Sequence, residues 1–339
     1  MNKISFSQLI TALLLSSAFM LMCLSAPVGI EYMSGTAISF AIQAVLCIPI
    51  ILLYKKGFSL SAYCNEKHYV IPCLFALYFM LRGGVSFILV WNGGKQLSLP
   101  FSEPLITAIL IGIVCLYTAS LGICAFARAS SIVFGILTLT IAVLLIGAWQ
   151  RIDTMELAET AENTIAGSTL RNLSLADTLP ALFVLLNFTD GKKAHKALMF
   201  LPIGLLLWEI VLFLCITVLG SLLPTAPYPF FLLTAVSQPF SSQRADALYL
   251  ILFVLLCILR ITLLTVLSAH LLGMIFPKLR FRSIISLLVM IGAAAAFSAI
   301  NYTESIFCII TILVFSFVIP LIFCITLKNH NSWKKEEKA

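Results

Sequence analysis

From Phe6 to Leu327 the chain is a succession of apolar runs parted by short stretches that hold nearly all of its Lys, Arg, Asp and Glu. This pattern constrains the fold more than any single motif. A bilayer's hydrocarbon core is about 30 Å thick and takes roughly 20 apolar residues of helix to cross. Inside it every backbone N–H and C=O must be satisfied within the segment, which selects helix. The composition agrees: 61% of the 339 residues are hydrophobic and only 10% are charged, against about 25% charged in a soluble domain. The chain reads as an all-α integral membrane protein.

Division at the charged and Pro/Gly breaks predicts about ten transmembrane helices, over 6–25, 34–54, 69–91, 104–124, 129–149, 176–190, 197–220, 246–272, 283–300 and 305–327. The sixth is the weak one, because its apolar core from Leu179 to Phe188 is too short to cross without its flanks. It could be re-entrant. Charge decides otherwise, since short cytoplasmic loops retain Lys and Arg. With the amino terminus inside and all ten segments crossing, the inner loops hold 15 basic residues: Lys3, Lys55, Lys56, Lys67, Arg128, Lys192, Lys193, Lys196, Lys278, Arg280, Arg282, Lys328, Lys334, Lys335 and Lys338. The outer loops hold Lys95, Arg151, Arg171 and Arg244 with nine acids, Asp177 among them. A sixth segment that failed to cross would invert this bias. Both termini are therefore expected in the cytoplasm, and the protein in a cell membrane as a multi-pass chain. Lys3, the first apolar core and Ser25-Ala26 also fit a cleavable signal peptide, but the core is long for one.

The organisation expected is a single polytopic domain: 1–150 as a first five-helix repeat, 151–177 as an outer acidic loop, 178–327 as a second five-helix repeat, and 328–339 as a basic cytoplasmic tail. Five plus five is the arrangement of transporters built from inverted repeats, in which the first helix of each half is interrupted near mid-bilayer. The net charge of +7 is an orientation signal. The basic residues are scattered and not gathered on a solvated face, which argues against a nucleic-acid partner. The cysteines sit mostly in apolar stretches without Cys-x-x-Cys spacing, so neither a disulfide nor a metal site is expected. No nucleophile elbow, phosphate loop or His-Glu-x-x-His is present; the expectation is a non-enzyme without cofactor. The four histidines, His68, His195, His270 and His330, all map to the cytoplasmic side and carry no expected role.

Ionisable groups at bilayer depth cost at least about 2.5–3.5 kcal/mol and need a reason to be there. Three stand out: Arg82 beside Gly83 and Gly84, Glu209 beside Trp208, and Arg260 in the middle of span eight. Several readings stay open. Arg82 or Arg260 could anchor a ligand carboxylate through its planar fork. Glu209 could pair with one of the arginines and fix packing, or it could act as a coupling carboxylate that takes up a proton during a transport cycle. The glycines read as close-packing positions.

Four stretches carry a family resemblance: Ile4-Ser5-Phe6-Ser7-Gln8-Leu9 leading into span one, Leu24-Ser25-Ala26-Pro27 at its end, Gly122 through Arg128 between spans four and five, and Gln243-Arg244-Ala245-Asp246-Ala247-Leu248 leading into span eight, with Arg260 further along. Together they resemble the endospore germination permeases, the B-type membrane subunits of spore germinant receptors, within the amino acid–polyamine–organocation transporter superfamily. The resemblance implies the LeuT/APC-like 5+5 inverted-repeat fold in the spore inner membrane. It also implies a small amino-acid-like germinant as ligand, and a larger membrane subunit and a lipoprotein as partners. Family members have glycines in span one, seven and five residues before the Pro, where this chain has Met20 and Met22. A ligand site at mid-bilayer beside interrupted helices would be lined by Ser16, Ser17, Met20, Arg82, Gly83, Asn187 and Arg260. The alternative to a receptor subunit is a secondary transporter for amino acids or other small solutes, with Glu209 as the coupling group.

Overall fold

A computed structural model describes residues 3–23, 29–60, 63, 69–96, 104–158, 164–225, 228–237, 246–299 and 306–325. Leu24–Pro27, Gln243–Ala245 and the tail 328–339 fall outside the described residues. Where described, the chain is helical with no strand: α1 (Phe6–Met22), α2 (Ile30–Lys55), α3 (Val70–Gln96), α4 (Pro104–Ser120), α5 (Ile123–Ala148), α6 (Ile165–Ser174), α7 (Thr178–Leu185), α8 (Phe200–Leu219), α9 (Pro229–Val236), α10 (Asp246–Ile275), α11 (Arg282–Ala299) and α12 (Ile306–Leu313).

Local chemistry sets the boundaries. Ser5 starts α1 through a capping box: the Gln8 N–H donates to its Oγ at 3.2 Å, and its own N–H donates to Gln8 Oε1 at 3.1 Å. Two otherwise orphaned donors are satisfied reciprocally. Between α4 and α5 the chain reverses at Gly122, whose φ of 84° lies in the left-handed region that glycine enters without penalty. α5 therefore begins at Ile123, several residues before the expected start at 129.

Among the described residues, seven helical segments are long and apolar enough to cross a membrane, and three shorter apolar ones, Phe6–Met22, Ile109–Ser120 and Arg282–Ser298, occupy the other expected positions. The largest departure is in the sixth. Its helical stretch begins at Ile165, not at 176, and runs through a break to Phe188. The stretch 151–177 is accordingly not a loop throughout: residues 165–174 are α-helical, preceded by the short 3₁₀ turns Trp149–Arg151 and Thr154–Ala158. Hydropathy hides this helix because it carries Ser168, Thr169, Asn172 and Ser174, all buried. The polar groups of Thr169, Asn172 and Ser174 are met from within the protein, whereas the Ser168 hydroxyl has no partner among the described residues. Tyr32 Oη donates to Asn172 Oδ1 at 2.8 Å, and Asn172 Nδ2 donates to Thr36 Oγ1 at 2.9 Å.

The broken segment is the centre of the bundle. In its span 89% of the residues are buried inside the protein, against 33% for the last span and 39% for α5. α2 runs beside it and bonds both halves: Tyr32 holds α6, while Tyr54 Oη donates to the Phe183 carbonyl in α7 at 2.6 Å. α3 packs against α10 and α11, and α1 against α5, α8 and α10. The first helix of the expected amino-terminal repeat shows no matching interruption. α1 is continuous from Phe6 through Met20 to Met22, as unbranched Met, a good helix former, permits.

Candidate functional site

The break lies between Ser174, the last residue of α6, and Thr178, the first of α7. A helix end leaves carbonyls unpaired on one side of such a gap and N–H groups on the other, with partial charges to match. Two side chains answer this polarity. Arg82, from α3, donates from Nη2 to the Ser174 carbonyl at 3.2 Å, placing positive charge at a helix C-terminus. Asp177 sits at the N-terminus of α7, where negative charge is favoured.

Arg82 and Arg260 converge on one carboxylate. Arg82 Nε donates to Asp177 Oδ2 at 3.0 Å, and Arg260 Nη2, from α10, donates to the same oxygen. The remaining nitrogens fan outward. Arg260 Nη1 donates to Ser16 Oγ on α1 and Nε to Ser86 Oγ on α3 at 3.4 Å, while Arg82 Nη1 points at Cys308 Sγ on α12 at 3.5 Å. Arg82, Asp177 and Arg260 are all buried. Six helical elements thus meet at three charged side chains, whose formal charges leave an excess of one positive. Two polar atoms in this cluster have no hydrogen-bond partner among the described residues: Asp177 Oδ1 and the Tyr78 hydroxyl, one turn before Arg82 on α3. Tyr78 also meets Phe315, at a ring-centroid distance of 4.6 Å, within the π-helical turn Val314–Val318 of the last span.

Of the residues expected at a site, the structure brings Ser16, Arg82 and Arg260 together. Met20 is buried one turn beyond Ser16. Ser17 turns away and accepts from Trp208 Nε1 at 2.9 Å. Asn187 also lies elsewhere: its Oδ1 accepts the Leu60 N–H at 2.9 Å, pinning the loop after α2. Glu209 is half-buried on α8 and forms no ion pair with either arginine; its Oε1 has no partner among the described residues. The expected Glu209–arginine pair is therefore replaced by a pairing through Asp177, a residue assigned to the outer loop. Ser86, Ser174, Tyr78 and Cys308 were likewise not anticipated. The readable signal for Asp177 was the shortness of segment six itself, which obliges the helix to continue upstream.

Gly83 faces α11, not the cluster. A Cβ there would meet the Met290 side chain at 2.4 Å, whereas one on Gly84 would meet Ala293 Cβ at 2.8 Å and the Ala294 backbone nitrogen at 3.0 Å. A methionine side chain can shift and a helix backbone cannot. Gly84→Ala is expected to destabilise the protein by about 1–3 kcal/mol, and Gly83→Ala by clearly less, in detergent unfolding titrations; equal losses would contradict this packing.

No family model and no curated protein matches the chain. A solved structure does: the substrate-bound, outward-open state of a Na+-coupled sialic acid symporter, at a TM-score of 0.59 and 14% identity, covering 88% of this chain and 73% of that one. This is a transporter fold. At that identity the likeness concerns architecture alone; interrupted helices recur in transporter architectures. The Arg82–Asp177–Arg260 cluster sits at such an interruption.

Proposed function

We propose that the chain is a secondary transporter that carries a small solute bearing a carboxylate, bound where α6 and α7 part. The observation that supports this reading is the charge of the central cluster: two buried guanidiniums share one carboxylate oxygen, leaving one positive charge uncompensated and Asp177 Oδ1 unpartnered. An incoming carboxylate suits the planar guanidinium fork and supplies the missing negative charge. An ammonium or hydroxyl on the same solute would donate to Asp177 Oδ1. Since Asp177 already occupies Arg82 and Arg260, the solute competes with an internal ligand. Occupancy then favours the packing in which Asp177 has given up one arginine, by no more than the solute's differential affinity for that packing. In this reading all ten segments cross, both termini are cytoplasmic, and Glu209 is available as a protonatable coupling group apart from the cluster.

The test is uptake by proteoliposomes containing the chain alone, over a panel of monocarboxylates, dicarboxylates, amino acids and amines lacking a carboxylate. Saturable uptake confined to carboxylates is expected. Uptake of a carboxylate-free amine in preference to every acid would sink the proposal.

A second reading keeps the site and changes its output: a germinant-receptor subunit of a spore inner membrane that binds an amino-acid-like solute and signals to a larger membrane subunit and a lipoprotein. The resemblance to the germination permeases supports it, together with the coincidence of two of its motifs with helix boundaries, the capping box at Ser5 and the reversal at Gly122. Germination assays of a deletion strain over the same panel separate the two readings; an unchanged response to every solute removes the receptor role.

A further inference from the structure

A cavity lies at the end of the bundle that its basic loops assign to the cytoplasm. It has a volume of about 440 Å³ and is lined by Phe188, Val266, His270, Arg280, Arg282 and Ser283, among others. No carboxylate lines it among the described residues. This size falls within the usual range for small-molecule sites, about 300–1,000 Å³.

Its position follows from the two chain segments that carry the central cluster. On α10, His270 is ten residues beyond Arg260, about 15 Å along a helix rising 1.5 Å per residue. On the broken segment, Phe188 lies a comparable distance beyond Asp177, at the end of the 3₁₀ turn Leu186–Phe188. The segments that meet at Asp177 and Arg260 therefore meet again, with the Phe188 and His270 rings 4.5 Å apart between centroids. Phe188 is held in register by its carbonyl, which accepts the Ile4 N–H at 2.9 Å. Both rings line the cavity.

The chemistry of the cavity favours an anion. His270 Nε2 is buried with no hydrogen-bond partner among the described residues. Arg282 is fixed by donating from Nε to the Leu279 carbonyl at 2.7 Å and from Nη2 to the Pro277 carbonyl at 2.6 Å. Its approach depends on Gly273, where a Cβ would lie 2.2 Å from Nη1. Arg280 is exposed at the mouth. A fixed guanidinium, an exposed one and an imidazole nitrogen without a partner among the described residues, lining a cavity without acids, concentrate negative solutes there.

We infer that this cavity is an inner station for the carboxylate of the solute, which leaves Arg82 and Arg260, passes the Phe188–His270 pair, and is held by Arg280, Arg282 and His270 before release. The inference rests on the transport reading above and deepens it.

The test uses the full-length protein in detergent with a reporter indole placed by Phe188→Trp, read against the parent protein. Its quenching by iodide, an anion, is compared with quenching by neutral acrylamide, with acetate as competitor. Iodide should out-quench acrylamide at this position, and acetate should suppress the difference. Arg280→Gln should shrink the advantage about two- to fivefold, the range of an exposed charge contact. Equal quenching by the two agents, or no effect of Arg280→Gln and His270→Gln, overturns the station. Suppression by phosphatidylglycerol vesicles and not by free acetate assigns the cavity to a lipid headgroup and also overturns it. Failure of the station is distinct from failure of transport: unaltered carboxylate uptake in Arg280→Gln and His270→Gln removes the former alone. Acetate-sensitive iodide quenching in a protein that takes up no carboxylate removes the latter.

Discussion

Replacing Asp177 with alanine should destabilise the protein more than any other single change in the cluster, by about 3–5 kcal/mol, the cost of leaving buried charge without its partner. The reason is the charge count. Without Asp177, two guanidiniums remain buried side by side with only hydroxyl, carbonyl and thiol contacts. Without Arg260, Arg82 and Asp177 still form a neutral pair at 3.0 Å, so Arg260→Ala, like Arg82→Ala, should cost less than Asp177→Ala. Glu209→Gln, which breaks no ion pair, should cost less than about 1 kcal/mol. Unfolding in detergent titrations gives the order directly. A loss for Glu209→Gln as large as that for Asp177→Ala would restore Glu209 as the arginines' partner and refute the geometry described. The triple change Arg82→Met, Asp177→Leu and Arg260→Met is informative in the opposite direction. Apolar residues of similar volume often replace buried ion clusters without loss of stability, so this variant should fold and bind nothing.

Arg260→Lys should retain the fold and lose binding of whichever carboxylate the uptake panel identifies, by about a hundredfold, as expected when a desolvated charge contact is removed. Lysine preserves the charge but not the fork. Arg260 reaches α1, α3 and the α6–α7 break with three separate nitrogens, at Ser16, Ser86 and Asp177. A compact ammonium cannot span those directions. Equilibrium binding of the labelled carboxylate to the purified variant measures the effect, and wild-type affinity would place the ligand elsewhere.

What could be read in advance followed energetic cost. Arg82 and Arg260 announced themselves because a charge in an apolar run is expensive, and their partner had to exist. Hydropathy points to Glu209 in span seven, because it assigns Asp177 to an outer loop in water. The error came from reading hydropathy as location. α6 is a packed helix whose Asn172 is bonded to Tyr32 and Thr36, and a scale that rates each residue against lipid cannot see bonds to a neighbouring helix. The prices of Met20 and Met22 were read more reliably, since helix propensity is local and α1 runs unbroken through both. Gly83 and Asn187 were misplaced for a third reason. Their side of the helix depends on which neighbour it packs against, and for Gly83 that neighbour, Met290 on α11, is just over 200 residues away in the chain.

The tyrosines of α2 bear on how this protein could change shape. Tyr32 grips the half-helix before the break and Tyr54 the half after it, so α2 acts as a splint across the discontinuity. A splinted joint does not flex alone: any change of angle at Asp177 has to be matched by a bend within α2. That helix contains Pro49 between the two tyrosines, the one residue there that cannot donate a backbone hydrogen bond. The pivot for movement of the central segment is therefore shared between two helices, and half of it lies outside the site.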